Sequence, residues 1–359
     1  MGALPDIEQT PKKSILSKYI KTKSVLWSQW LSTCFFSTTS SRKSEPQSCG
    51  EVENKSSLVV GQVHKKIKLD PYWISGFSDA EACFSIIIFK RSQITQQWRV
   101  QASFEINLHS KDLDILYRIN DFFGVGLVHK RTNLCVYRVT KVKDLVNVIV
   151  PHFLNYPLLT QKHLDFLLWV KVVKLVYDKQ HLTTSGFQAI LSYYANINRG
   201  ISPKIAAAFP NISKAVRPEG RGSFLLPKTL NPFWVSGFTA GDGGFSVGIR
   251  STTGQIYFRF HITQHSRDYL LMKLLIEFFD CGNVIQRSNV ERCDFYIQDS
   301  SKINNQVVPH FVNYPLNNIK TLDFLDFKKA LELFKAKGTQ NSISEIKKII
   351  SNMNSKRNQ

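Results

Sequence analysis

Two short segments of similar sequence place one carboxylate at the same position near their ends. Residues 73–84 have the sequence WISGFSDAEACF, and residues 234–245 have the sequence WVSGFTAGDGGF. In both segments an apolar stretch contains a Ser-Gly step, and an acid, Glu81 or Asp242, lies three residues before a Phe that begins a strand-like stretch. Such a repeated acid is not typical of ordinary core packing, so these two carboxylates are the first candidates for chemistry.

The Ser-Gly steps suggest how the two acids could meet. Small residues let two helix backbones approach closely, so the two segments can pack against each other along a pseudo-twofold axis. Glu81 and Asp242 would then lie side by side, where two carboxylates cannot both stay charged without a cation between them. Oxygen ligands without a His or Cys cluster suit a hard ion, Mg²⁺ first. A metal ion held by paired acids above a basic surface is suited to hydrolysis of phosphodiester bonds.

The residues that follow each acid also occur twice, which makes the chain an internal repeat. The two motif acids are 161 residues apart, and Phe122 and Phe278 are 156 residues apart. The stretches 150–158 (VPHFLNYPL) and 308–316 (VPHFVNYPL) are 158 residues apart. Because these spacings differ by only a few residues, they indicate loop insertions and deletions between two copies of one unit.

Hydrophobic periodicity predicts the elements of each copy. Pro71 followed by Ile74 and Phe77 predicts a short helix over the first motif. Residues 99–109 alternate strictly between polar and apolar side chains, and residues 255–264 alternate in the same phase, which predicts strands with two unlike faces. The predicted buried face of the first strand consists of Val100, Ala102, Phe104, Ile106 and Leu108. The predicted open face consists of Arg99, Gln101, Ser103, Glu105, Asn107 and His109.

Further elements complete each unit. In the first copy a helix over 112–123, a strand pair ending at Val139 and a helix over 143–153 are predicted, so that each copy is an αββαββα repeat. The fold class is therefore α+β, with an antiparallel sheet in each copy that helices cover on its apolar side and that is polar and basic on the other. Additional helices are predicted over 164–177, 186–198, 322–335 and 342–354.

The chain divides into four parts on this interpretation. Residues 1–65 are rich in Lys, Ser and Thr, and we expect a flexible basic leader or extension there, either without a function of its own or as an organelle-targeting segment. The first repeat spans 66–200 and the second spans 230–359. Residues 201–229 contain several Pro and Gly residues and form the predicted linker that joins the two halves.

Composition limits the class of partner. The formal charge of +20 and the pI near 9.7 indicate a polyanionic partner, nucleic acid before an anionic membrane, without choosing between DNA and RNA. No apolar stretch approaches the roughly 20 residues needed to span a bilayer, so we expect no membrane partner. The six cysteines show no CxxC or other metal spacing, which favours a reducing compartment without structural zinc.

With the motif and its flanking segments in view, the chain resembles the LAGLIDADG homing endonucleases, in the single-chain form with two motifs. The resemblance covers roughly residues 69–355. Four flanking segments resemble the group that is encoded in organellar introns, especially those of fungal mitochondria. These segments are 108–112 (LHSKD), 123–126 (FGVG), 139–141 (VTK) and 155–158 (NYPL).

The resemblance assigns roles to the motif residues. It implies that Glu81 and Asp242 are the metal ligands and the catalytic pair; the alternative is that they only cap helix ends. The sixth motif position is Asp79 in the first copy but Ala240 in the second. Because only the eighth position binds metal in the family, we expect this difference to be tolerated.

The resemblance also implies supporting residues. A basic residue near each scissile phosphate would be Lys162 or Lys320, which are equivalent in the repeat; the alternative is that both are solvated lysines on helix surfaces. A polar residue that orders metal-bound water would be Gln264, whereas the first copy has Leu108 at that place, so the two half-sites are expected to cut unequally. Lys141 corresponds to Asp299, a further asymmetry without an assigned role.

The two polar sheet faces would together form a saddle-shaped DNA-binding surface. Two-stranded ribbons fit the major groove, and polar side chains on their outward positions can contact base edges. The alternative for each residue alone is an exposed polar strand position. The candidates for DNA contact are Ser85, Arg91, Arg99, Gln101, Ser103, Glu105, Asn107, Lys130, Arg138, Ser246, Arg250, Tyr257, Arg259, His261, Thr263 and Arg287.

The resemblance implies a monomeric site-specific DNA endonuclease that uses Mg²⁺, or another divalent cation such as Mn²⁺. It would cut both strands of a long asymmetric double-stranded target and promote the mobility of its intron. The first alternative is an RNA maturase that binds its host group I intron and assists splicing, and the second is a DNA-binding relic that no longer cleaves. Family resemblance places the protein in the mitochondrion, ahead of the chloroplast or the nucleus.

Overall fold

Both motif segments form helices that continue directly into a strand. Helix α1 (Pro71–Glu81) is followed at once by β1 (Ala82–Lys90), and helix α7 (Pro232–Asp242) is followed at once by β5 (Gly243–Ile249). Each helix begins with a proline, whose fixed φ suits the first helical position. The preceding side chain caps each helix start: Asp70 accepts from the backbone N–H of Tyr72 at 2.8 Å, and Asn231 accepts from that of Phe233 at 2.9 Å.

The computed structural model describes most of the two repeats. The predicted leader over residues 1–65 and the candidate Arg91 lie outside the described residues, and the predicted linker over 201–229 lies partly outside them. The described residues are 68–90, 98–198, 200–216, 226–336 and 340–354.

Each half contains a four-stranded antiparallel sheet. In the first half the strand order is β1-β2-β4-β3, and in the second half the equivalent order is β5-β6-β8-β7. The register matches as well, because Phe84 pairs with Phe104 in one sheet and Phe245 pairs with Phe260 in the other. The remaining strands are β2 (Trp98–His109), β3 (Leu127–Lys130), β4 (Leu134–Val139), β6 (Ile256–His265), β7 (Asn283–Gln286) and β8 (Arg292–Ile297).

Helices follow the strands in the predicted order, which confirms the αββαββα pattern and the α+β class. The first half contains α2 (Leu113–Phe123), α3 (Val142–Asp144, Leu145–Ile149 and Val150–Asn155), α4 (Lys162–Tyr177) and α5 (Thr184–Tyr194). A short helix that was not predicted, α6 (Pro203–Ala208), lies within the predicted linker. The second half contains α8 (Tyr269–Phe279), α9 (Ser300–Lys302, Ile303–Val307 and Val308–Asn313), α10 (Lys320–Lys335) and α11 (Gln340–Asn352). Within the described residues, none of these helices is long and apolar enough to cross a membrane.

The middle segment of α3 and of α9 is a turn of π-helix. In α3 the backbone N–H of Val150 bonds to the carbonyl of Leu145, five residues earlier, and in α9 the N–H of Val308 bonds in the same way to Ile303. A proline follows each turn, and since proline lacks an N–H it cannot continue the ordinary ladder. The helix predicted over 143–153 is confirmed, and the wider turn inside it was not predicted.

Aromatic side chains form the core under each sheet. Phe84 is 1% exposed and Phe245 is 1% exposed, and each side chain lies at the centre of an aromatic cluster. Burying one such ring stabilises a fold by about 1.5–3 kcal/mol, so these clusters bind the helices firmly to the sheets. The aromatic rings whose centres lie within 5.4 Å are Phe104, Phe153, Phe166 and Trp169 around Phe84, and Phe260, Phe311, Phe324 and Phe327 around Phe245.

Candidate active site

Helices α1 and α7 cross with their backbones in direct contact, which forms the seam between the two halves. A Cβ atom built on Gly76 would lie 2.1 Å from the carbonyl oxygen of Trp234, and one on Gly237 would lie 2.1 Å from that of Trp73. Neither position therefore accommodates any side chain, as the motif predicted for its glycines. Ser75 instead bonds within its own half, since its Oγ donates to the carbonyl of Tyr156 at 2.6 Å.

The two motif acids lie beside each other at the end of this seam. Glu81 and Asp242 are the last residues of α1 and α7. A Cβ atom on Gly241, the residue before Asp242, would lie only 3.2 Å from Oε1 of Glu81. Both side chains are partly exposed, so a ligand can reach them.

The electrostatics of the pair resist a second negative charge. Burial, and then the neighbouring charge of Glu81, raise the pKa of Asp242 to about 6, although Lys162 and Lys320 oppose the shift. Burial also raises the pKa of Glu81, again against the charges of the two lysines. Both carboxyls therefore hold a proton more readily than an isolated acid does.

Two partly buried lysines lie against the ends of the motif helices. Lys162 Nζ, from the first residue of α4, donates to the carbonyls of Ser78 at 2.9 Å and Ala80 at 3.3 Å. Burial lowers the pKa of Lys162, and nearby acids, including Asp79, Asp242 and Glu81, raise it. The alternative of a solvated lysine on a helix surface is wrong for this residue.

Lys320 occupies the equivalent position in the second half, at the start of α10. Its Nζ donates to the carbonyls of Thr239 at 3.1 Å, Gly241 at 2.7 Å and Gly243 at 2.5 Å. Burial lowers its pKa, and the charges of Glu81 and Asp242 raise it. Because its ammonium group is bonded to three backbone carbonyls, the solvated alternative is wrong here as well.

These lysines offset an unusual concentration of negative charge. A helix C-terminus carries a partial negative charge and disfavours acidic side chains, yet two helix C-termini and two carboxylates converge at this point. Neither α1 nor α7 has a basic residue of its own in its last turn. The cations come from the helices that follow each sheet.

Gln264 joins the site only in the second half. Its Nε2 donates to Oδ2 of Asp242 at 2.8 Å, and its Oε1 accepts from the backbone N–H of His265 at 2.9 Å, so the amide orientation is fixed at both ends. Leu108, at the equivalent position of β2, is buried and offers no polar atom. The structure thus places the predicted asymmetry directly beside the acids.

Two further aspartates join the halves, and sequence reasoning missed them. Asp268 Oδ1 accepts from the backbone N–H of Gln161 at 2.7 Å, and Asp112 Oδ1 accepts from that of Ile319 at 3.1 Å. Gln161 and Ile319 precede Lys162 and Lys320, so each bond ties one half to the loop that positions the lysine of the other. The available signal was that both aspartates recur at equivalent places in the repeat.

Asp79 and Ala240 make the seam polar on one side only. Asp79 is 2% exposed and accepts four hydrogen bonds, one of them from Nε1 of Trp234 at 2.9 Å. The other three come from the backbone N–H groups of Leu159 and Thr160 and from the Thr160 hydroxyl. On the Ala240 side, Nε1 of Trp73 is buried and has no hydrogen-bond partner among the described residues.

The predicted open sheet faces are more closed than the alternation implied. Ser103 is 1% exposed and Glu105 is 8% exposed, so the expectation that both are open to DNA is wrong. Val100, which was predicted to lie on the buried face, is only half-buried. The remaining described candidates are exposed or half-exposed on the two sheets. They are Ser85, Arg99, Gln101, Asn107, Lys130, Arg138, Ser246, Arg250, Tyr257, Arg259, His261, Thr263 and Arg287.

Glu105 is covered because it belongs to a small network. Ser103 Oγ donates to its Oε1 at 2.7 Å, and Nη2 of Arg138 donates to its Oε2 at 3.0 Å. Glu105 and Arg138 face each other across β2 and β4, which brings opposite charges into contact. These residues hold each other in fixed positions on the face of the first sheet.

Aromatic contacts fix other side chains on the second sheet. The guanidinium of Arg259 lies 4.8 Å from the ring centre of Tyr296, within the range of a cation–π interaction. A Cβ atom on Gly244 would lie 2.6 Å from the ring of His261, and one on Gly248 would lie 2.5 Å from the hydroxyl of Tyr257. The two glycines of β5 thus provide the space in which neighbouring side chains from β6 lie flat.

Family comparison matches both halves of the chain. The model described as LAGLIDADG endonuclease matches residues 74–173 and residues 235–331. The chain is 32% identical over 308 residues to the probable intron-encoded endonuclease 2 of Neurospora crassa, which covers 81% of this chain and 67% of that protein. It is 34% identical to the probable intron-encoded endonuclease 3 of the same fungus, which covers 73% of this chain and 50% of that protein. The chain therefore spans about half the length of the second relative.

Solved structures match in fold over the same region. The homing endonuclease I-GzeII in complex with its DNA target has a TM-score of 0.76 and 32% identity, covering 81% of this chain and all of that chain. I-SmaMI bound to cleaved DNA has a TM-score of 0.76 and 34% identity, covering 81% of this chain and 99% of that one. A further structure of I-SmaMI contains uncleaved DNA in the presence of calcium ions.

Proposed function

Since two copies of its family model cover more than half of its length, this chain belongs to the LAGLIDADG endonuclease family, and we propose that it is a site-specific homing endonuclease. On this proposal it cleaves both strands of a long asymmetric DNA target as a monomer. It acts in the mitochondrion, in keeping with the intron-encoded fungal relatives.

The observation on which the proposal rests is the pair of partly exposed acids at the abutting ends of α1 and α7. Each half supplies one carboxylate, Glu81 or Asp242, and one partly buried lysine, Lys162 or Lys320. The pair lies between two sheets with basic outer faces. This is the arrangement expected of a site that must act on two phosphodiester bonds of one duplex.

The acids suit a hard divalent cation. Their oxygens are the ligands that Mg²⁺ and Mn²⁺ prefer. A cation between them would offset the burial and the neighbouring charge of Glu81, which together raise the pKa of Asp242 to about 6. Within the described residues no group of three or more His, Cys, Asp or Glu side chains could hold a metal ion, so the remaining ligands would be water and phosphate oxygens. When bound, the cation would supply Lewis-acid stabilisation of charge on the phosphate.

The chain's own residues have distinct tasks on this proposal. Glu81 and Asp242 would supply carboxylate oxygens to the cation. Gln264 holds Asp242 in place through its amide and would help to order a water molecule at the cation. Lys162 and Lys320 keep positive charge close to both acids and near the phosphates. Arg and Lys side chains on the sheet faces bind further phosphates, so affinity should fall steeply as salt rises.

A plasmid assay tests the proposal. Supercoiled plasmids that carry intron-free mitochondrial gene segments are incubated with the full chain and Mg²⁺, and linear product is expected from the plasmid that contains the target. The matched control is the double variant Glu81→Gln and Asp242→Asn, which should bind the same plasmid without cutting it. If the wild type yields no linear product from any segment but binds the intron RNA tightly, the maturase alternative replaces the endonuclease.

A further inference from the structure

A second carboxylate network lies on the face of the second sheet and orders an arginine. Asp294 faces Thr263 across β6 and β8, and Thr263 Oγ1 donates to its Oδ1 at 2.6 Å. Nε of Arg287 donates to its Oδ2 at 2.7 Å. Both oxygens of the carboxylate are therefore occupied, and the carboxylate fixes the plane of the guanidinium.

Asp294 and Arg287 differ in how far they are exposed to solvent, and this indicates different roles. The side chain of Asp294 is 9% exposed, whereas that of Arg287 is 47% exposed. Both residues line a concave region of the sheet face together with Arg250, Arg259 and Gln298. Among the described residues, no other side chain bonds to the guanidinium of Arg287. The acid is thus buried as a support, and the arginine is held at the surface of a basic concavity.

The nitrogen that Asp294 binds determines what the arginine can recognise. Because the contact uses Nε, the two terminal nitrogens of Arg287 remain as a pair of parallel donors. Guanine presents two acceptors, O6 and N7, in the major groove, and an arginine that binds both is the commonest specific base contact. A phosphate could accept from the same donors, but it would not require the guanidinium plane to be fixed in advance.

We propose that Arg287 recognises one guanine in the half-site bound by the second sheet, and that Asp294 is the positioning residue that holds it for this contact. The inference depends on the proposed DNA binding and deepens it by naming a base. Arg138 provides an internal contrast, since it meets Glu105 through the terminal nitrogen Nη2. One of the two terminal nitrogens of Arg138 is therefore already hydrogen-bonded.

Selection from a randomised duplex library tests this inference. The full-length wild type and the variants Arg287→Gln, Arg287→Lys and Asp294→Asn are each used to select bound duplexes in Ca²⁺, and the selected pools are sequenced. We expect one position at which the wild type prefers guanine by roughly ten- to a hundredfold, a preference that Arg287→Gln removes. Arg287→Lys should also weaken it, because lysine keeps the charge without the parallel donors.

The variant Asp294→Asn tests whether Asp294 positions the guanidinium of Arg287, because the charge of Arg287 itself is unchanged. It should broaden the preference at the same position while leaving the preferences elsewhere unchanged, and Arg138→Gln is the matched control that should leave this guanine preference intact. Thermal unfolding of each variant verifies that it is folded. If the wild type selects a sequence and Arg287→Gln selects the same guanine with equal strength, the inference is overturned. If the wild type selects no sequence at all, the proposed DNA recognition itself fails.

Discussion

The two halves have the same strand order and register but differ at several positions whose side chains face the proposed DNA. Equivalent glycines meet at the seam, and each half supplies an equivalent lysine and an equivalent cross-half aspartate. By contrast, Leu108 stands opposite Gln264 beside the acids, and the carboxylate that orders an arginine is Glu105 in one sheet and Asp294 in the other, at positions that do not correspond. Contacts that hold the duplicated framework together have been kept in both halves. Several contacts that would meet an asymmetric target differ between the halves.

Loss of either acid should have the largest effect and should be equal in the two halves. Glu81→Gln or Asp242→Asn removes one of the two charges that a shared cation needs. Cleavage of both strands should fall by more than about a hundredfold, which is the upper range for losing a group that merely supports a metal ligand. Plasmid linearisation measures cleavage, and a gel shift should show DNA binding unchanged. Wild-type cleavage by either variant would contradict a shared site.

The seam glycines should also respond equally. In Gly76→Ala or Gly237→Ala the new Cβ would lie 2.1 Å from a backbone oxygen of the other helix, so the helices must move apart. The free energy of unfolding should fall by at least about 1–3 kcal/mol in each case. Urea titration measures it. Gly248→Ala is the control, because its new Cβ would meet only the movable and exposed Tyr257 ring.

Gln264→Leu should make the second half resemble the first. The side chain that bonds to Asp242 is lost, so cleavage of one strand should slow by roughly ten- to a hundredfold while the other strand is less affected. Nicked plasmid should then accumulate before linear product appears. Strand-specific primer extension identifies the slow strand. Equal slowing of both strands would argue that Gln264 serves the pair as a whole.

Asp268→Asn should change the pH dependence of stability. Burial raises the pKa of Asp268 from the ordinary 3.8 to about 6 in the folded protein. The folded state thus binds this proton more tightly than the unfolded chain, so the stability from this group is greatest below about pH 4 and is lost as pH rises through 6. Asparagine can still accept from Gln161 and removes this loss, a change of roughly 3 kcal/mol in the free energy of unfolding.

Urea titrations of wild type and Asp268→Asn between pH 4 and 7 measure that change. Asp112→Asn is the comparison from the other half. The Asp112 carboxyl also has a raised pKa, because burial outweighs its bond from Ile319 and the charge of Lys320. A pH profile identical in Asp268→Asn and wild type would contradict the shift.

The two seam tryptophans should give the smallest and most unequal pair of effects. Trp234→Phe leaves Asp79 with one hydrogen bond fewer, whereas the indole nitrogen removed in Trp73→Phe has no partner to lose. The free energy of unfolding should therefore fall by about 1 kcal/mol more in Trp234→Phe than in Trp73→Phe. Both variants lose similar volume, so each is the control for the other. The difference between their unfolding free energies is the quantity to measure. Equal costs would show that the bond to Asp79 contributes little.

The sequence predicted the framework well because periodicity and repetition specify it. The αββαββα order and the family are confirmed, and the seam glycines lie at the helix crossing. Ser75 was assigned to the same close approach, but its hydroxyl bonds away from the seam to Tyr156. Within each Ser-Gly step the glycine has no side chain to separate the helices, so the two backbones touch at Gly76 and Gly237.

The missed features depend on backbone groups or on neighbours from other strands. Nothing in the sequence shows that the N–H of Gln161 lies near Asp268, since any residue supplies that donor. Strand alternation indicated the face on which Glu105 lies, but its burial depends on Ser103 and Arg138 closing over it. Pro151 did offer a signal for the π turn, because a proline inside a predicted helix must disturb its hydrogen bonds.

The direct contact between α1 and α7 has a consequence for the spacing of the target. Each helix continues into its sheet without an intervening residue, and the two backbones touch at Gly76 and Gly237, so no flexible segment separates the two sheets at the seam. One inserted base pair would displace the second half-site by about 3.4 Å and rotate it by about a tenth of a turn. The halves cannot follow such a shift, and the protein should therefore tolerate base changes in its target far better than changes in target length.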